Sequence, residues 1–266
     1  MNLFWRELKA SRKSLIIWII GIVAMVGAGM GKFASLSGSG EAMVELMADL
    51  PKPLQAVLGL NGLDISTVMG YYGMFYLYLV IMGAVHASML GANALAKEER
   101  DKTAEFLLAK PISRMTILLT KLSSVVVQMV IFNAVMTVSS IAFAAPYADG
   151  GASAVTSDIL RLMLGTLLIQ LLFASVGMAI AAAGRNPKRA GAWSAGVMLL
   201  TFFLSIAIDI REGIEALRFL TPFQYFAAPD VLNEGLSAAF IVLSIGVTLA
   251  AIAVTIAAYR RRDMQV

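Results

Sequence analysis

The residues best placed to do chemistry lie between two long apolar stretches. They run Lys97-Glu98-Glu99-Arg100-Asp101-Lys102-Thr103-Ala104-Glu105-Phe106-Leu107-Leu108-Ala109-Lys110-Pro111-Ile112-Ser113-Arg114, dense in charge around an apolar Phe106-Leu107-Leu108. Charge explains why such a segment stays in water, but not the apolar patch, which a partner or the membrane surface would cover. A helix continuing from the preceding stretch through about Ala109 and stopped by Pro111 would present Phe106 and Leu107 to that surface, with Ser113 capping the next helix. From the residues alone, a docking site and a solvated loop touching the bilayer fit equally well.

Catalytic constellations are thin. With no cysteine and a single histidine, His86, the chain has no thiol nucleophile, no Cys-based metal site and no two-histidine site of the His-Glu-x-x-His kind. Ser194, between Gly191 and Gly196, superficially resembles a nucleophile, but the one histidine base is distant in sequence. No Gly-x-x-x-x-Gly-Lys-Ser/Thr occurs, so any ATP must be handled by another chain. The polar residues expected inside apolar stretches are His86, Asn93, Gln128, Asn133 and Gln170. Of these, Gln128, Asn133 and Gln170 are candidates for a pathway, although hydrogen bonding between helices is the plainer role, and His86 reads as structural. No Asp, Glu, Lys or Arg falls near the centre of an apolar stretch, which argues against a proton relay or ion-coupled carrier. A large or apolar cargo, moved by force from outside the bilayer, fits better.

Positioning these residues requires membrane-spanning helices. The 266 residues are 59% hydrophobic and 14% charged, with mean hydropathy +0.80, whereas soluble domains lie near ~25% charged. Apolar stretches of spanning length appear at about 15–34, 71–96, 115–143, 159–183, 192–210 and 236–258. In lipid such stretches must be helical, because unpaired backbone groups cost too much. An even count puts both termini on one face. That face takes all of the 21 basic residues except Lys32, Lys52, Arg161, Arg211 and Arg218, so the positive-inside rule makes it cytoplasmic. The sequence pI of about 9.4 therefore reflects topology and implies no nucleic-acid partner.

The first residues, with Leu3, Phe4 and Leu8 near one face and Arg6, Lys9 and Lys13 around the rest, predict an interfacial helix leading into the first span. Two outer segments predict short amphipathic helices. In the first, Met43, Leu46, Met47 and Leu50 precede Pro51 and Pro53; in the second, Ile214, Leu217 and Leu220 precede Thr221-Pro222-Phe223-Gln224-Tyr225-Phe226, whose aromatics suit headgroup depth. Gly27-x-x-x-Gly31 and Gly83-x-x-x-Ala87-x-x-x-Gly91 permit close helix contact, more often within a subunit than between two. The fold class expected is an all-α polytopic membrane bundle over residues 1–266.

The order of these features resembles the type 2 permeases of ATP-binding-cassette (ABC) transporters. The likeness rests on Glu98-Glu99, Thr103-Ala104-Glu105 and Leu107-Leu108-Ala109-Lys110-Pro111-Ile112-Ser113-Arg114 after the second span, on outer Thr221-Pro222-Phe223 with Tyr225-Phe226, and on the tail Tyr259-Arg260-Arg261-Arg262-Asp263. The resemblance implies a permease dimer in the cell membrane, usually an exporter. It also implies that residues 97–114 act as a coupling helix on a separate cytoplasmic ATPase that binds ATP and Mg. The coupling residues would then be Glu98, Glu99, Thr103, Glu105, Phe106, Leu107, Pro111 and Arg114. Other readings are a secondary carrier or channel, a membrane anchor for an ATPase engaged in assembly or maturation, and an intramembrane protease of the Glu-Glu-x-x-x-Arg type. Thr103 stands where the last of these needs arginine.

Overall fold

The computed structural model describes residues 3–36, 47, 49–60, 62–102, 112–184, 186–211 and 213–261, and the regular elements among them are all helical. In chain order the helices are α1 (Leu3–Leu36), α2 (Lys52–Leu58), α3 (Val68–Arg100), α4 (Arg114–Ala144), α5 (Ala152–Ala183), α6 (Ala190–Ile210), α7 (Ala228–Glu234) and α8 (Ala238–Arg261). Six of these, α1, α3, α4, α5, α6 and α8, are long and apolar enough to cross a membrane. Each coincides with one of the apolar stretches, α8 starting two residues later than expected.

The differences lie at the ends of the spans. The expected interfacial helix is not a separate element: no glycine or proline interrupts the chain before Gly21, so α1 runs unbroken from Leu3 through the first apolar stretch. The outer helix expected before Pro51 falls mostly outside the described residues, with Met47 helical among those described, and a further short helix, α2, starts after Pro51, where a proline in the first turn has no N–H partner to lose. Met43 and Leu46 lie outside the described residues. Between α4 and α5 the chain reverses through a 3-10 turn, Ala145–Tyr147, and two glycines at φ 100° and 65°, Gly150 and Gly151.

The centre of the bundle is the α3–α5 pair, which packs along most of its length, with α8, α4 and α6 also on α5 and α1 on α4. Small residues set that approach: a Cβ at Gly91 would lie 2.0 Å from the Ala174 carbonyl oxygen, and one at Gly177 2.5 Å from that of Ser88. The Gly83–Gly91 ladder therefore serves packing within the subunit. Buried polar groups tie the helices further: Tyr76 donates to the Leu162 carbonyl (2.9 Å), Tyr72 pairs with Ser140 (2.7 Å) and Ser194 donates to the Ser88 carbonyl (3.1 Å). This occupies the Ser194 hydroxyl in structure. The outer helices expose apolar side chains such as Ile17, Leu200, Phe203 and Val242, as lipid-facing surfaces do.

The chain between α6 and α8 folds back into the bundle. Two 3-10 turns, Glu215–Leu220 and Pro222–Gln224, carry Phe223 against Phe173 of α5 (5.5 Å between ring centres) and Phe202 of α6 (5.4 Å). Thr221 donates to the Thr201 carbonyl at 2.7 Å, and Phe223, Tyr225 and Phe226 are all buried. These aromatics, expected to face the headgroup region, are therefore enclosed by the bundle instead. Proline and 3-10 geometry turn the chain inward, where aromatic area is worth more against other rings than in the interface.

Candidate functional site

At the end of the bundle where α3 closes and α4 opens, one lysine collects three elements. Lys121, two turns into α4, is 3% exposed. Its Nζ donates to the Ala94 carbonyl (2.6 Å) and to Glu98 Oε1 (2.5 Å) at the end of α3, and lies 3.7 Å from Glu7 Oε2 on α1. Arg6 also reaches Glu7, at 3.3 Å. Carrying an ammonium this far into an apolar helix is costly unless carboxylates meet it, and here two do. A small cavity adjoins the cluster, lined by Glu7, Asn93, Lys121, Ser124 and Gln128 among others. Arg100 folds back on α3 to donate to Asn93 Oδ1 at 3.0 Å.

The segment that follows this junction carried the docking expectation. Glu98 turns inward onto Lys121, Glu99 is half-buried on the same last turn, and Arg114 is exposed at the start of α4. Ser113 caps α4 as expected, its hydroxyl accepting from the Thr116 N–H at 3.1 Å. The helix expected to run on through Ala109 instead ends at Arg100. The Asp101 N–H closes on the Lys97 carbonyl, and Lys102 then turns to φ 54°, a left-handed conformation that no helix continues. Thr103, Glu105, Phe106, Leu107 and Pro111 lie outside the described residues.

The polar residues inside the spans are spread through the bundle. Gln128 donates to the carbonyl and hydroxyl of Ser124 on its own helix (3.1 and 3.2 Å) and lines the cavity beside Lys121. Asn133 crosses from α4 to donate to the Met163 carbonyl of α5 at 3.1 Å, the interhelical bond that is the plainer role for such residues. Gln170 is fully buried over Gly83, where an added Cβ would lie 2.7 Å from Nε2, and neither amide atom has a hydrogen-bond partner among the described residues. His86 sits between Trp18 (5.0 Å) and Phe132 (4.6 Å), its Nδ1 likewise without a partner.

Counted with the basic residues of one face, Lys121 carries no site role in the sequence, and Glu7 carries none either. Their signal was present, since a lysine two turns inside an apolar helix needs a counter-charge. Gln224, hidden in an aromatic run, is a second omission; it donates Nε2 to Asp209 Oδ1 at 2.6 Å.

Against known proteins, the family model described as ABC-2 family transporter protein matches residues 1–264. No curated protein matches the sequence. With six apolar helices and a family match over nearly every residue, this multi-pass membrane chain belongs to the ABC-2 family of transporter proteins.

Proposed function

We propose that the chain is the permease subunit of an ABC exporter, paired with a second permease subunit and driven by a separate cytoplasmic ATPase that binds ATP and Mg. Both termini and residues 97–114 face the cytoplasm in this reading, as the basic residues favour. The observation that carries the mechanism is the buried Lys121 cluster, which fastens the base of that segment to α1, α3 and α4 at once. Movement of an ATPase against Glu105 and Phe106 would then reach three helices through one joint and bias the bundle between two access states.

The test is co-expression with a candidate cytoplasmic ABC ATPase from the same source, followed by copurification and ATP hydrolysis in lipid. Phe106→Asp and Glu105→Arg should each reduce association or coupled hydrolysis while expression and melting stay normal. Unchanged association and turnover in both variants would overturn the docking assignment. Because the chain has no cysteine, a single Lys110→Cys reports orientation cleanly. Labelling of intact cells by a membrane-impermeant maleimide would overturn the topology.

A further inference from the structure

The first turns of α1 are sorted by charge. At 3.6 residues per turn, Trp5, Lys9, Arg12 and Ile16 fall within about 60° of one another on the helix surface, with Lys13 and Ile20 beside them. All six are exposed, Trp5 at 59%, Ile16 at 52% and Ile20 at 62%. Glu7, the only acidic residue of α1, lies on the opposite side of the helix, where it meets Lys121 and Arg6. Lys9, Arg12 and Lys13 therefore face outward with no counter-charge from their own helix, and none of them makes an ion pair among the described residues.

Along the helix axis this stripe changes from aromatic to cationic to aliphatic. Arg12 and Lys13 stand about one turn before Ile16 and Ile17, where the apolar stretch of the first span begins. Helical side chains lean toward the N-terminus, which carries both cations away from the hydrocarbon and toward Lys9. A tryptophan and long cationic side chains at one depth are the make-up of the headgroup layer. Ile16, Ile17 and Ile20 continue the same side into the span, with Ile17 69% exposed.

We infer that this face of α1 holds an acidic phospholipid, its phosphate among Lys9, Arg12 and Lys13 and its acyl chains along Ile16, Ile17 and Ile20. Each cation at an anionic headgroup surface is worth roughly fivefold in affinity, whereas a zwitterionic lipid brings its own cation and gains little from three more. A second copy of the chain docked here about a two-fold axis would set three cations against three. A soluble acidic partner reaches the cations but not the isoleucines, which belong to the span. An anionic amphiphile satisfies both parts of the stripe. The inference goes beyond transport driven by an ATPase, since lipid binding requires neither partner nor nucleotide.

The experiment is native mass spectrometry of the purified full chain, without ATPase, delipidated in detergent and titrated with phosphatidylglycerol or with phosphatidylcholine of the same acyl chains. The expected result is tighter binding of phosphatidylglycerol by about tenfold or more, and no saturable binding of soluble glycerol phosphate over the same concentrations. Combining Lys9→Gln, Arg12→Gln and Lys13→Gln should bring the two lipids within about threefold of each other. Lys9→Arg with Lys13→Arg should keep the preference, as should Arg260→Gln with Arg261→Gln at the far end of α8. Melting curves establish that each variant is folded; should the triple variant misfold, Arg12→Gln alone, with an expected loss of about fivefold, decides. Equal binding of both lipids to folded wild-type chain, an unchanged preference in the folded triple variant or in Arg12→Gln, or a preference lost in the α8 variant would overturn the inference. Glycerol phosphate bound as tightly as the lipid would do the same. So would efficient disulfide cross-linking of Lys9→Cys between copies in a bilayer, because the chain has no other cysteine and a second copy would then cover this face.

Discussion

Replacing Lys121 by methionine isolates the ionic part of the joint between α1, α3 and α4, because methionine keeps much of the apolar stem and removes the ammonium. In the wild type that ammonium lies 2.5 Å from Glu98 and 3.7 Å from Glu7. At an effective dielectric of ~20 the attractions are roughly 7 and roughly 4.5 kcal/mol. Desolvation of the three groups cancels most of this, so the intact cluster stabilises little. Removing one partner is different: it leaves two carboxylates, each with side chains 14% exposed, facing one another. Such a loss costs about 3–5 kcal/mol, and Arg6 beside Glu7 brings the expectation to the lower end, about 3 kcal/mol. For a chain of this size that is a fall in Tm of roughly 6–12 °C, read by thermal unfolding in detergent. The double variant Lys121→Met, Glu98→Gln should regain at least about 1 kcal/mol over the additive sum, since a neutral amide needs no counter-ion. An unchanged Tm in Lys121→Met would mean the ammonium is hydrated, and strict additivity would mean the pair does not interact; either refutes the reasoning.

Three further outcomes follow from named contacts. Gly91→Ala drives a Cβ against the backbone carbonyl of Ala174, which no side-chain rotation relieves, and should separate α3 from α5 and cut folded yield in detergent severalfold, while Gly31→Ala, with open space around it, should be silent. His86→Ala should cost about 2–4 kcal/mol through the space left between Trp18 and Phe132, yet His86→Phe should recover most of the stability because Nδ1 has no bond to lose; a larger loss in the phenylalanine variant would reveal a polar role. In the connection before α3, the hydroxyl and backbone N–H of Ser66 hold the Asp64 carboxyl below its ordinary 3.8. The depressed value means the turn is stabilised above the ordinary carboxylate range and loses that support as pH falls through the folded pKa. Carboxyl NMR should find the Asp64 midpoint low and see it rise in Ser66→Ala; no change would remove the hydroxyl as the cause.

The spans were legible because the penalty for an unpaired backbone in lipid is local and acts on every residue of an apolar stretch, so length and hydropathy alone locate helices such as 71–96 and 115–143. The Ser113 cap was legible for the same reason, since its bond reaches only three residues. The family likeness lay in the order of short motifs along the whole chain, which the match over residues 1–264 bears out.

What the chain does across long sequence separations was not legible. The sequence marks Lys121 as a lysine in need of a counter-charge but does not say which carboxylates meet it, and only the packing of α1 and α4 beside the end of α3 brings Glu7 and Glu98 to it. Phe223, Tyr225 and Phe226 carry the signature of an interfacial belt, yet the inward fold of their segment makes them core. Likewise Gln224 and Asp209 become neighbours through that reversal, 15 positions apart. Hydropathy records how much each residue gains by leaving water; which partner it meets depends on how helices pack, and that is decided only when the whole bundle closes.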